Sequence, residues 1–108
     1  MTRMKLWVDD VRPAPPGYQW VRSVEEALWY LHKHNKINAV TYSFFRIEVL
    51  DLDHDAGDYA NQGGDYIKIL DWMEAHGIND IPIHLHTMNP VGRENMRRII
   101  QHNKWREI

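Results

Sequence analysis

The stretch VLDLDHD, residues 49–55, passes from an apolar run into two aspartates that flank a histidine. Two other apolar runs end in a similar way: LWVDD, residues 6–10, ends in two aspartates, and IPIHLHT, residues 81–87, ends in a histidine and a hydroxyl. Open α/β sheets bind ligands in the crevice outside the carboxyl ends of their strands. If the three runs are neighbouring parallel strands, their polar ends meet in one pocket that suits a divalent cation and a phosphate.

Composition limits the class of protein. A chain of 108 residues with 44% hydrophobic side chains predicts a single domain, residues 1–108, with a real core. A formal net charge of −2 predicts no extended nucleic-acid surface, although a local pocket can still take a nucleotide or an RNA end. The absence of cysteine excludes disulfides and thiolate metal sites. No apolar stretch reaches membrane-spanning length, so we expect a soluble cytoplasmic protein with no membrane partner.

Strands and helices alternate along the chain. Apolar runs and polarity alternation predict strands at residues 4–8, 18–22, 47–53 and 81–86. A capping box at residues 23–26 starts a helix that runs to about residue 35. A second helix is predicted from Asp65 to Gly77, and a third begins at residue 92 or 93 and frays towards Trp105. This order favours a three-layer α/β fold, a mostly parallel sheet of about four strands with helices on both faces.

Four separated motifs, at residues 6–15, 52–58, 64–66 and 86–93, resemble the cyclic-phosphate processing receiver family. Within the wider receiver fold, Asp9 and Asp10 resemble the magnesium-binding acids, Asp53 the phosphoacceptor and Thr87 the hydroxyl residue. The resemblance implies a truncated receiver-like or flavodoxin-like sheet with strand order 2-1-3-4. It also implies processing of cyclic phosphates on nucleotides or RNA ends. The chain departs from a receiver in two ways: a proline-rich loop replaces the first helix, and the fifth strand, its lysine and the last helix are missing.

Acidic side chains at the strand ends predict a metal site. Carboxylate oxygens are the hard ligands that Mg²⁺ and Mn²⁺ prefer, with waters and a phosphate completing six-coordination. We predict Asp10 and Asp53 as direct ligands, with Asp9 or Asp55 binding directly or through water. Asp51 precedes this cluster within the strand and receives no role.

Two histidines and a set of donors complete the predicted site. His54 and His86 end adjacent strands, and imidazole is the usual general acid or base near neutral pH. Opening a cyclic phosphate needs an activated water and a protonated leaving group, so we assign catalysis to His54, His86 and Asp53. Phosphate oxygens are expected to meet four further side chains beside a helix start: Thr87, Asn89, Arg93 and Arg12.

Three functions remain open from the sequence. The leading hypothesis is a metal-dependent phosphoesterase-like domain acting on a small cyclic phosphate of a nucleotide or RNA terminus. The second is a signalling receiver phosphorylated on Asp53, although the missing lysine counts against it. The third is a binding module for a phosphorylated ligand that has no catalytic activity.

The absent fifth strand leaves one structural question. The fourth strand should become a sheet edge, and unpaired edges invite pairing with another chain. We expect either a homodimer through that edge or cover by residues 39–45. Residues 36–48 are otherwise hard to interpret, since 39–45 fit an extra strand or a prolongation of the next one.

Overall fold

The computed structural model describes all 108 residues of the chain. Five strands and three helices follow one another as β1 (Thr2–Val8), β2 (Tyr18–Val21), α1 (Val24–Leu31), β3 (Lys36–Ile37), β4 (Phe44–Leu52), α2 (Ile67–Ala75), β5 (Ile83–Leu85) and α3 (Pro90–His102). A short 3₁₀ turn lies at Gly57–Tyr59. The predicted α/β class is confirmed, and each predicted strand and helix is present. No helix has the length and apolarity that a membrane span requires.

The sheet brings the polar strand ends together. β1 pairs in parallel with β2 on one side and with β4 on the other, and β5 pairs in parallel with β4. Val8 lies beside both Val21 and Leu52, and Leu52 lies beside Leu85. The predicted order 2-1-3-4 of the four parallel strands is therefore confirmed. Their carboxyl ends share one edge of the sheet.

The segment at residues 36–48 forms a hairpin onto β4. β3 pairs antiparallel with the first two residues of β4, Phe44 and Phe45. Those two residues prolong the strand, as one of the two interpretations proposed, while most of the segment before them is the hairpin turn. β1 occupies one side of β4 along its length, so β3 and β5 must share the other side.

All three helices pack on the same face of the sheet. Their buried residues join one core with Leu6 and Val8 of β1, and α2 contacts both α1 and α3. The opposite face carries the alternate residues of the strands, such as Lys5, Trp7 and His84, which remain outside this core. The structure thus has a helical layer on one face where the sequence favoured helices on both.

The outer edge of β5 is covered by the last residues of the chain. Ile83 donates its N–H to the Arg106 carbonyl at 2.9 Å and accepts from the Ile108 N–H at 2.8 Å. Glu107 forms a parallel bridge with Ile83 and is held to α3 by Arg97. The expectation that residues 39–45 cover this edge is wrong, because their hairpin lies against β4. The homodimer stays a prediction. Because residues 106–108 pair with β5, fewer unpaired backbone groups remain at this edge to favour pairing with a second chain.

Candidate functional site

Three carboxylates converge where the parallel strands end. Asp9 and Asp10 follow β1, Asp53 follows β4, and one oxygen from each lies within 4.8 Å of the others. The Asp53 N–H donates to the Val8 carbonyl at 2.9 Å, which ties the two strand ends together. Asp9 and Asp53 are buried, whereas Asp10 is partly exposed. The predicted meeting of these three acids is therefore present in the fold.

The carboxylate of Asp9 is fixed by donors on both oxygens. Its Oδ1 accepts from the N–H groups of Val11 and Arg12 at 2.9 and 2.8 Å, and its Oδ2 lies 2.9 Å from His86 Nε2. Burial alone raises the pKa of Asp9, but these hydrogen bonds outweigh it and hold the pKa below its ordinary value. Asp9 thus presents a pre-oriented carboxylate that ionises readily.

Asp10 has the opposite electrostatics. Burial, and then the neighbouring charges of Asp9, Asp53 and Asp55, raise the pKa of Asp10 above its ordinary value. Gly57 leaves room for this side chain, since a Cβ atom there would lie 2.2 Å from Asp10 Oδ2. Asp10 and Asp53 form no ion pair with a cation of the protein. Their mutual repulsion is what a bound divalent cation relieves, and an all-oxygen donor set fits Mg²⁺ or Mn²⁺.

His86 is enclosed between two carboxylates. Its Nε2 faces Asp9, and its Nδ1 lies 2.6 Å from Asp51 Oδ1. The Trp7 ring stacks on the imidazole with centroids 3.8 Å apart, which leaves the His86 side chain 8% exposed. Each ring nitrogen thus lies against a carboxylate oxygen. Both nitrogens are therefore already used within the protein.

Asp51 is the residue that sequence reasoning left without a role. It lies opposite His84 in the β4–β5 register, and its Oδ1 accepts from His84 and from His86. The available signal was a carboxylate inside a buried strand followed by two histidines at positions i and i+2 of another strand. Without the register of β4 and β5, that signal does not show which residues Asp51 contacts.

His54 is held from one side only. Its Nδ1 lies 2.8 Å from Asp55 Oδ1, while its Nε2 has no hydrogen-bond partner in the protein. Its ring packs against the start of α3, where a Cβ atom on Gly92 would lie 2.4 Å from His54 Cγ. The hydrogen bond from His54, with help from Asn89, lowers the pKa of Asp55 despite partial desolvation. Asp55 is thus turned towards His54 and Asn89 and lies outside the group of three acids.

The residues predicted to meet phosphate surround the N-terminus of α3. Thr87 is buried, and its Oγ1 accepts from the Asn89 N–H at 3.1 Å. Asn89 caps the helix through its Oδ1, which accepts from the Gly92 N–H at 2.9 Å. Arg93 donates from Nη2 to the Thr87 carbonyl, and its Nε is the one buried side-chain nitrogen or oxygen without a partner. Arg93 therefore keeps a donor that no acceptor of the protein satisfies.

Two arginines neighbour the acids. Arg12 Nε lies 3.5 Å from Asp9 Oδ2, and its side chain is 46% exposed. Arg22, which the sequence did not single out, donates from Nη2 to the Asp10 carbonyl at 2.9 Å and lies over the rings of Trp20 and Tyr59. Arg12 is thus the more accessible cation beside the acids, while Arg22 is engaged with backbone and aromatic rings.

The three cavities of the structure, of about 570, 470 and 160 Å³, lie away from the acid site. None of them is lined by Asp9, Asp10 or Asp53, or by His54 or His86.

Comparisons with known proteins agree with the motifs. A family model described as "Cyclic-phosphate processing Receiver domain" matches residues 4–102. No curated protein and no solved structure showed a significant match. The matched range contains every residue of the site described above.

Proposed function

Because the chain belongs to the cyclic-phosphate processing receiver domain family, we propose that it is a metal-dependent phosphoesterase that opens small cyclic phosphates. The observation that carries this proposal is the meeting of three acids within 4.8 Å beside a histidine whose Nε2 is free. The family match by itself supports only an association with cyclic-phosphate processing. The metal dependence and the hydrolysis are our inference from the donor set.

Asp9, Asp10 and Asp53 would hold the divalent cation. When bound, Mg²⁺ or Mn²⁺ would neutralise these acids and polarise the phosphate oxygens. Asp9 is oriented for this by two backbone N–H groups and by His86. We therefore assign His86 a positioning role through Asp9, with Asp51 holding its other nitrogen, rather than the proton transfer that the sequence suggested.

His54 is the group that we assign to proton transfer. Asp55 holds Nδ1–H, so the neutral imidazole presents the Nε2 lone pair. The attacking water forms a bond to phosphorus and gives its proton to Nε2. One ring P–O bond then breaks, and the imidazolium returns that proton to the departing oxygen. The products balance as a phosphomonoester beside a free hydroxyl.

Phosphate oxygens would be held at the start of α3. Asn89 caps this helix, Thr87 is buried beneath it, and Arg93 has an unsatisfied donor. A helix N-terminus favours anions, because its free N–H groups and its dipole both present positive charge. Arg12 supplies an accessible cation on the other side of Asp9.

The test is product analysis with a panel of cyclic phosphates and added Mg²⁺, Mn²⁺ or Zn²⁺. The panel contains nucleoside 2′,3′-cyclic phosphates, an RNA with a cyclic phosphate end and ADP-ribose cyclic phosphate. We expect turnover that disappears in Asp53→Asn and persists in Asp58→Asn, which alters a nearby exposed acid. Absence of hydrolysis with all three metals contradicts the proposal.

A receiver-type signalling role is the second candidate. It is favoured by the position of Asp53 directly after β4 and beside Asp10. The buried Thr87 follows β5, the strand that pairs with β4. Incubation with a small phosphodonor and mass spectrometry of the Asp53 peptide tests it directly. An acyl phosphate on Asp53 without turnover of any cyclic phosphate would favour signalling over hydrolysis.

A further inference from the structure

The helix-free face of the sheet has an unusual composition. We define this face by the strand residues that alternate with the core, namely Arg3, Lys5, Trp7, Tyr18, Trp20, Val49, Asp51 and His84. Only one of these is aliphatic, and none belongs to the large hydrophobic side chains that the molecule exposes most. A sheet face that packs against a helix would instead present a stripe of aliphatic side chains.

Aromatic rings lie in the middle of this face with a cation among them. The rings of Trp7 and Tyr18 meet edge to face with centroids 6.2 Å apart, and both side chains are partly exposed. Lys5 Nζ lies 5.7 Å from the centroid of the Tyr18 ring. Sheet surfaces bind single-stranded nucleic acid by stacking its bases on aromatic side chains, next to cationic side chains that contact the phosphates.

Further cations flank the aromatic rings at both ends. Arg12 lies at the end beside the acid site. At the other end, the cavity of about 570 Å³ is lined by Arg3, Arg46 and Arg106 together with two acids, Glu48 and Asp80. Arg46 is paired with Asp80, whereas Arg3 and Arg106 form no ion pair with a carboxylate of the protein. The spacing from Asp9 to Arg3 along β1 is on the order of 20 Å, at about 3.3 Å per residue.

The face is continuous with the acid site. Trp7 stacks on His86, which in turn contacts Asp9. A chain whose terminal group occupies the acids therefore passes first over Trp7, then over Tyr18 and Lys5, and finally reaches Arg3.

We propose that the helix-free face binds single-stranded RNA whose 3′ end occupies the acid site. The unpaired cations and the partly exposed rings favour a polyanion that carries bases. A 2′,3′-cyclic phosphate forms only where a 2′-hydroxyl exists, which selects RNA. The identity of the bound end rests on the proposed function, whereas the surface itself does not. The net charge of −2 did not indicate this surface, because it sums over the whole chain. The site acids lie together at one end of the sheet, whereas the cations lie farther along it.

The binding test uses a fluorescent RNA of about eight nucleotides, within the site sizes of roughly 4–16 nucleotides known for such platforms. It ends in a 3′-hydroxyl, and anisotropy is measured with Mg²⁺ present. We expect Tyr18→Ala to weaken binding roughly 5- to 150-fold, the range for one lost base–aromatic stack. We expect Lys5→Ala to reduce the salt dependence, by about 0.7 in the log–log slope for one lost phosphate contact.

Matched controls alter the same residue types elsewhere. Tyr42→Ala changes an exposed tyrosine of the hairpin, and Lys68→Ala changes an exposed lysine on α2. Neither is expected to change RNA affinity. Equal effects from the control and test variants overturn the proposal, as does a wild-type protein that binds no RNA.

Turnover separates this proposal from the proposed function. Hydrolysis of a cyclic mononucleotide without RNA binding overturns the RNA surface and leaves the phosphoesterase in place. RNA binding that depends on Tyr18 and Lys5, without any hydrolysis, supports the surface and contradicts the phosphoesterase. If Lys5→Ala and Tyr18→Ala instead dissociate a dimer in sedimentation experiments, and RNA does not bind, the face belongs to a second copy of the chain.

Discussion

His54 and His86 follow neighbouring strands and each contacts an aspartate, yet their surroundings differ. His86 has a carboxylate on each ring nitrogen and a tryptophan stacked on its face. His54 has one carboxylate, from Asp55, and a free Nε2. In the proposed mechanism, two carboxylates hold the His86 imidazole in place, whereas the single carboxylate beside His54 orients its ring and leaves one nitrogen for substrate.

The difference extends to the carboxylates themselves. Asp9 and Asp51 are buried, so removal of the imidazole takes one hydrogen-bond partner from each desolvated carboxylate. Asp9 keeps its two backbone N–H donors, and Asp51 keeps His84. The Asp55 side chain is 59% exposed, so water can replace its histidine. The His86 cluster should therefore control stability and metal affinity, and the His54 pair should control turnover.

His54→Ala gives the largest expected effect on catalysis. Loss of general acid–base transfer lowers kcat by roughly 10²–10⁴-fold. KM and the melting temperature should change little, because water can fill the position at Asp55. Steady-state kinetics on the best cyclic phosphate checks this, with His102→Ala on α3 as the exposed control. An unchanged kcat in His54→Ala would remove the distinction between the two histidines.

His86→Ala should act first on stability. Removing one hydrogen-bond partner from each of the buried Asp9 and Asp51 lowers the free energy of unfolding by about 1–3 kcal/mol in urea titrations. Adding Asp51→Asn to His86→Ala should recover part of that loss, because one of the two weakened carboxylates is removed. A loss below about 1 kcal/mol would contradict the enclosed arrangement.

The sequence predicted the strands and the meeting of the acids because these depend on local patterns. Apolar runs that end in Asp9, Asp53 and Thr87 define both the core and the edge where the polar side chains meet. The strand order came from the resemblance to the receiver fold and not from any local pattern. That all three helices share one face of the sheet depends on how they pack against each other, which local patterns do not encode.

Contacts that depend on register or on side-chain rotation were beyond the sequence. Asp51 reaches His86 because β4 and β5 pair with Asp51 opposite His84, and no local pattern encodes that pairing. The sequence predicted that Asp9 or Asp55 binds the metal directly or through water. The carboxylate of Asp55 turns towards His54 and Asn89, an orientation that depends on a single side-chain rotation.

Gly92→Ala tests the position of His54 without removing it. The new Cβ atom would overlap the imidazole, so the ring must shift away from the start of α3. A displacement of about 1 Å at a reacting group lowers the rate by about 10²-fold. Val91→Ala, an exposed neighbour on the same turn, is the control for kinetics and melting temperature. A normal rate in Gly92→Ala would show that the ring is not held there for catalysis.

Asp55→Asn gives the smallest expected effect, on the acid dependence of stability without metal. The pKa of Asp55 is lowered in the folded state, mainly by the hydrogen bond from His54, so its ionised form stabilises the fold above the unfolded pKa of about 3.9. That stabilisation disappears as the pH falls through the folded-state value. Because the side chain is largely exposed, we expect a difference of only about 0.2–0.5 kcal/mol at neutral pH.

Urea unfolding with a chelator, from about pH 6 down to about pH 3, therefore should show wild type and Asp55→Asn converging as the acid is protonated. Asp9→Asn should show the same direction with a larger difference, since the pKa of Asp9 is also lowered and its carboxylate accepts from two N–H groups and His86 in a buried position. If Asp55→Asn and Asp9→Asn change the free energy of unfolding equally, the difference in burial between the two carboxylates has no effect on their contribution to stability. A gap for Asp55→Asn that stays constant with pH would mean that its charge contributes nothing and that only its shape orients His54.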